Sequence, residues 1–237
     1  MIWRGFIALE LRPATAAGVW LFFLTTTALA QPGPSKPSTE SPPAVPPLRQ
    51  IATNRFLLGT VEMDKAERSL RFPAVVNMSK GLVEYALVAS SGKVHESVLR
   101  TDTEPIHLHL AALFLGARTN AAPATGQQME GDEVEIAIEW RSASGPSTAR
   151  IEDWIQNIKT QSALARGPWL YNGSRLEQGT FLAQRDGSIV SIIFDPDALI
   201  NNPRPGREDD ELWEVNSRRV PDAGTAVDVI VQFRKKK

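Results

Sequence analysis

Most of the acid–base and metal-binding potential of this chain sits between Lys93 and Gly116, which holds all three histidines (His95, His107 and His109) together with Glu96, Asp102 and Glu104. A histidine next to a carboxylate is the material of a general base or, with a third ligand, of a metal site. Cysteine is absent. Thiolate nucleophiles, disulfides, iron–sulfur clusters and cysteine-held zinc are therefore excluded, and any metal would need His, Asp or Glu ligands. No cofactor is expected.

The spacing of these residues limits what they can do together. His95-Glu96 follows the turn-forming run Ser90-Ser91-Gly92-Lys93 and opens a strand, where adjacent side chains point to opposite faces, so both reach one site only through a bulge. His107 and His109 fall on a helix, about 200° apart, so this pair does not chelate one ion. A strand running from His95 to a turn near Thr101 places His95 about 20 Å below that turn. A helix returning beside it places His109 only about 7 Å below the helix start, a mismatch that argues against a shared metal site. The candidate binding residues are His95, Glu96, Asp102 and His109, with no metal assigned and no catalytic set identified.

Other motifs are weaker. Ser174 lies in Tyr171-Asn172-Gly173-Ser174-Arg175, which lacks the second glycine of a nucleophile elbow. Glu208-Asp209-Asp210-Glu211 lacks the alternating oxygens and glycine of a calcium loop and is read as a solvated acidic loop. Asn77-Met78-Ser79 and Asn172-Gly173-Ser174 match glycosylation acceptors.

The elements that must position these residues are mostly strands. Phe56 to Met63 and Leu70 to Val76 are apolar runs joined by a polar turn. Leu82 to Ala89 and Val94 to Leu99 flank the Ser90–Lys93 turn, and the two hairpins predict an antiparallel meander. Pro105 then changes the period: Ile106 to Leu115, ending at Gly116, is a helix apolar on all sides, with Asp102 and Thr103 as cap candidates, and such a helix is expected to be buried. Val134, Ile136, Ile138 and Trp140 alternate with polar residues and Ala137, a strand with one wet face. Asp186-Gly187 suits a type I′ hairpin, Asp195 to Ile200 a short capped helix, and Val227 to Phe233 a last strand. The fold class predicted is α+β, mostly β, with antiparallel sheet packed around one buried central helix.

The ends of the chain carry separate signals. Arg4 and Arg12 precede the apolar run Gly18 to Leu24, and Ala28-Leu29-Ala30 gives a small-x-small cleavage pattern, so residues 1–30 read as a signal peptide. Export to the periplasm or the exterior is expected. Residues 31–48 are proline-rich, and because proline fixes φ and lacks a backbone donor they read as an extended linker before a single globular domain at 49–237. With 237 residues and a net charge of -1, nothing in the overall field recruits nucleic acid, and membrane contact is expected only through an uncleaved signal.

Several spaced segments together resemble the YdjY-like domain family: Phe72-Pro73-Ala74-Val75-Val76-Asn77, Gly81-Leu82-Val83-Glu84-Tyr85, Lys93-Val94-His95-Glu96-Ser97, and Pro105 with Leu108-His109-Leu110-Ala111. Trp169 to Ser174 and Asn201-Asn202-Pro203 fit the same likeness. The resemblance implies exported bacterial proteins of uncharacterised function. The cysteine-rich ferredoxin-like segment of some relatives has no counterpart here, so an electron-transfer role is not carried over. The expected function is that of an exported, non-catalytic binding or interaction domain of the cell envelope, its partner an unknown protein or small molecule. The alternative is a hydrolase or metal-dependent enzyme using His95 with Glu96 or His109.

Overall fold

A computed structural model describes residues 45–119 and 130–234. The segments expected to be a signal peptide (1–30) and, up to residue 44, a linker lie outside the described residues, as do residues 235–237 and most of the loop expected over 119–131. In chain order the strands are β1 (Leu48–Ala52), β2 (Arg55–Leu58), β3 (Val61–Asp64), β4 (Ser69–Val76), β5 (Tyr85–Ala89) and β6 (Ser97–Thr101), followed by helix α1 (Pro105–Phe114). Then come β7 (Asp132–Ser142), β8 (Gly145–Arg150), β9 (Ile155–Asn157), β10 (Trp169–Tyr171), β11 (Leu176–Glu177) and β12 (Thr180–Phe181). Helix α2 (Leu182–Asp186), β13 (Ser188–Ser191), β14 (Ile200–Asn201), β15 (Trp213–Val215) and β16 (Ala226–Phe233) complete the order.

The main sheet closes on itself. Its order runs β4-β16-β7-β10-β14-β13-β5-β6, and β6 pairs back onto β4 through Val75 with Arg100 and Val76 with Leu99. Eight strands therefore form a closed β-barrel, a size whose interior side chains fill completely. Burial alternates strictly along β4 and β16, with Leu70, Phe72, Ala74 and Val76 facing Val227, Val229, Val231 and Phe233 inside. An interior void bounded by Leu108, Tyr171 and Phe233 measures only about 10 Å³.

This closure corrects the predicted fold class: the sheet does not pack around a central helix. Helix α1 instead closes one mouth of the barrel, with Leu108, Ala111 and Ala112 buried while Leu113 remains 39% exposed. Composition alone made the helix look apolar all round. A barrel mouth needs only one stripe, and the β2–β3 hairpin covers part of another through Phe56, whose ring meets Phe114 edge-on at 4.8 Å.

The helix ends are set differently. At the C-terminus Gly116 adopts φ +79°, its N–H donates to the Leu113 carbonyl and that of Ala117 to Ala112, the Schellman arrangement expected of this glycine. At the N-terminus neither expected cap residue acts. Gln184 of α2, 78 residues away, accepts the Ile106 N–H at 3.1 Å, while Asp102 accepts the Ser90 hydroxyl at 2.5 Å.

Three further expectations change. β5 and β6 pair in parallel, Tyr85 with Ser97 and Leu87 with Leu99, so the opening is not a continued antiparallel meander. The turn at Ser90 to Lys93 forms, with the Gly92 N–H on the Ala89 carbonyl, but it leads into a segment returning to the start of β6. Asp186-Gly187 ends α2 as a left-handed cap rather than turning a hairpin, and Asp195 to Ile200 forms turns and the start of β14 rather than a helix. In the last two cases the local signal for φ > 0 or a cap was real, but neighbouring strands decided its use.

A buried ion pair lies beside Trp169 of β10. Glu152 is fully buried, accepts from Arg204 at 3.1 Å and lies 3.6 Å from Arg150, while the Arg204 guanidinium stacks 5.0 Å from the ring centre of Trp169. Burial lowers the Arg204 pKa, and Glu152 opposes that shift.

Candidate functional site

The first predicted pair, His95 and Glu96, lies on a 3₁₀ turn (Val94–Glu96) and not on a strand. On that turn the side chains do approach, His95 Nε2 standing 3.6 Å from Glu96 Oε2. Lys93 Nζ binds Glu96 at 3.1 Å and lies 3.6 Å from Glu84. Burial, then the charge of Glu96, raises the Glu84 pKa, and Lys93 partly offsets this. The group clamps the turn to the strand beside it, where the Glu84 N–H also donates to the Glu96 carbonyl at 2.9 Å. Asn77 completes the clamp by donating to the carbonyls of Val94 and Ser97, and Asn172 is wholly buried, so both glycosylation-type asparagines are engaged in the fold. His95 itself is 77% exposed.

The second histidine belongs to another environment. His109 Nδ1 is hydrogen-bonded to the Tyr171 hydroxyl at 2.9 Å, and its ring packs 4.8 Å from Phe181. Burial lowers the His109 pKa and raises that of Tyr171, so both groups are neutral near pH 7. His107 faces the β2–β3 turn, where a Cβ on Gly59 would lie 3.3 Å from its Nδ1. His95 and His109 are thus held by different partners, and among the described residues no group of three or more His, Cys, Asp or Glu is placed to hold a metal.

Asp102 is the predicted residue that borders open space. It lines a groove of about 670 Å³ on the outside of the barrel, between the end of β6 and the projecting β7–β8 hairpin. The registers define its floor. Arg100 pairs with Val75, Val75 with Ala226, and Val227 with Trp140, which puts Ala226 opposite Arg141, itself paired with Pro146. Paired residues share a face, so Arg100, Val75, Ala226, Arg141 and Pro146 form one row across five strands. At about 4.8 Å per strand the Arg100 and Arg141 backbones stand about 14 Å apart, separated by two small apolar side chains.

The next row holds Pro73, Asp228, Glu139 and Thr148. Both acids are engaged: Arg71 reaches Glu139 at 2.7 Å and Asp228 at 3.0 Å. Burial works against the charge of Arg71, but these two carboxylates outweigh it and raise the pKa. By contrast, neither Arg100 nor Arg141 has a carboxylate partner among the described residues; Arg100 makes only a 3.4 Å contact to the Ser90 hydroxyl. Trp140 borders the groove but packs its ring edge-on against buried Trp154 at 5.3 Å. Together these contacts leave a polar trough with two unpaired guanidinium groups at its sides and a satisfied acidic row beside them.

The family model of the YdjY domain matches residues 61–232. The chain belongs to the YdjY domain family. The matched stretch of this YdjY domain opens with the first residue of β3 and closes one residue before the end of β16, so it includes the strands that build the groove and the helix that closes the barrel. No curated protein and no solved structure gives a significant match.

Arg71, Arg100, Glu139, Arg141 and Asp228 were not legible as a group. The alternation over Asp132 to Trp140 marked Glu139 as solvent-facing, and that signal was available. Nothing local aligns it with Arg71 or Asp228, which are 68 and 89 residues away and meet it only through strand pairing.

Proposed function

We propose that this YdjY domain is an exported, non-catalytic binding domain whose ligand surface is the groove over β6, β4, β16, β7 and β8. The observation that carries this reading is the groove itself: about 670 Å³ of open space with two guanidinium groups, Arg100 and Arg141, that have no carboxylate partner among the described residues. Ligand sites combine a concave apolar floor with a few oriented polar groups, and Val75, Ala226 and Pro73 supply the floor here. A catalytic reading needs a nucleophile or base converging with a partner on reachable substrate. His95 and His109 are not among the residues that line the groove.

The N-terminal pattern of residues 1–30 supports export, to the periplasm or outside the cell. Fusing residues 1–48 to a reporter enzyme active only outside the cytoplasm tests this, with activity expected and lost when the run Gly18 to Leu24 is broken by charge. For the groove, the test is Ala226→Trp, which fills the floor on an exposed position. Decapeptides selected for binding to the wild-type domain are expected to lose affinity at least tenfold for this variant and to bind normally when tryptophan is placed at exposed Arg218. Equal binding by both variants would overturn the groove as the ligand surface. Hydrolysis of ester or peptide substrates abolished by His95→Ala would instead favour the enzyme alternative.

A further inference from the structure

Resting on the groove as the ligand surface, we infer that its ligand is an extended acidic polypeptide segment of another protein, held by Arg100 and Arg141 through two carboxylates flanking small residues. The geometry comes from the register. The two arginine backbones stand about 14 Å apart across the row, and guanidinium groups that lean toward each other would meet anions about 7 to 13 Å apart, the span of two to four residues of extended chain. Val75 and Ala226 between them are small and apolar, a floor on which small or proline side chains can lie.

The chemistry of the neighbouring row separates this ligand class from other anions. Asp102, Glu139 and Asp228 border the groove. They oppose a dense polyanion such as a nucleic acid or polyphosphate, whose closely spaced charges would lie against them. They accept hydrogen bonds from backbone N–H groups, which a peptide carries and an inorganic anion does not. Saccharide binding generally relies on flat aromatic faces, and Trp140, the one aromatic residue bordering the groove among the described residues, packs its ring on Trp154. Guanidinium forks pair with carboxylates through two parallel hydrogen bonds, a geometry that selects Asp and Glu over neutral side chains. Arg71 binds both Glu139 and Asp228 and offsets one of their two charges, which lowers their repulsion of two spaced carboxylates more than that of a dense polyanion.

The test uses the exported chain without its signal and fluorescein-labelled decapeptides read by anisotropy at low and physiological salt. One peptide carries glutamates four residues apart over a Gly/Pro/Ala background; the others replace both by glutamine or by lysine. Saturable binding of the glutamate peptide is expected, weakened at least tenfold by glutamine and abolished by lysine. Arg100→Glu and Arg141→Glu should each reduce binding at least tenfold, and placing arginine at the glutamate positions should restore it to the charge-reversed variants. Circular dichroism melts confirm that each variant is folded, since both positions are surface ones.

The outcomes separate the inference from the reading beneath it. Glutamine and glutamate peptides binding equally, both lost in Ala226→Trp, would keep the groove and overturn the acidic class. Glutamate-dependent binding that survives Ala226→Trp and both arginine reversals would overturn the groove as well. No saturable binding of the glutamate peptide up to millimolar concentration would overturn the inference.

Discussion

The mouth closed by α1 and the groove outside β4, β16 and β7 are built from the same strands, yet they treat polar residues in opposite ways. At the mouth, Tyr171 and His109 satisfy each other over a packed interior. In the groove, the outward-facing side chains of these strands and of β6 form rows of charged and small residues, and among the described residues Arg100 and Arg141 have no carboxylate partner. His109 was taken up by packing, and ordinary strand charges were left to face the groove. A histidine in an apolar helix is expensive to leave unpaired, so the fold has already committed it; an arginine on a wet strand face costs little and stays available.

The sharpest way to break this contrast is Leu108→Ala. Leu108 reaches into the barrel interior, so truncation should cost about 2 to 5 kcal/mol in urea unfolding, while peptide binding by the folded fraction stays unchanged. A parallel loss of groove affinity would mean the two regions are coupled. Tyr171→Phe comes next: it leaves His109 Nδ1 without its partner, and should cost about 1 to 3 kcal/mol, again with binding intact.

A pH series sharpens the contrast further. Burial holds the His109 pKa below its ordinary 6.5, so as pH falls below about 6.5 the unfolded chain takes up a proton that the folded chain refuses. Stability should therefore decline from pH 6.5 downward and level off once pH passes the folded-state pKa. His109→Phe should remove this component of the slope in denaturation curves measured between pH 7.5 and 5.

The smallest stability effect belongs to the groove. Arg71→Ala should change stability by no more than about 1 kcal/mol, because its ion pairs are partly solvated. It should nevertheless weaken acidic-peptide binding several-fold by removing the cation that offsets one of the two charges of Glu139 and Asp228, which isothermal titration would detect. Arg141→Ala should move stability by no more than about 0.5 kcal/mol, the ordinary range for surface changes.

The legibility of the two regions follows from the range of the interactions that build them. Helix α1 was readable because Pro105 and Gly116 are local signals, and its end at Gly116 formed as read. The alternation over Val134 to Trp140 likewise located a strand with one wet face, now β7. The barrel was not readable, since closure depends on β6 meeting β4 and on β5 and β6 running parallel. Periodicity carries no information on which strand pairs with which. His95 beside Glu96 shows the same limit on a shorter scale: a 3₁₀ turn in place of a strand start brought together two side chains that strict alternation separates.

By itself the sequence determined the mainly β composition, the helix from Pro105, the absence of thiol chemistry and the likeness to the YdjY domain, because each depends on residue identity or on spacing within a few positions. Only the tertiary structure decided that the sheet closes into a barrel, that the histidines are held apart by separate partners, and that Arg100 and Arg141 face one groove. Those outcomes rest on strand register between segments far apart in sequence, from 23 residues for Val76 with Leu99 to 163 for Ser69 with Gln232, and register is set by the collective burial of the barrel interior.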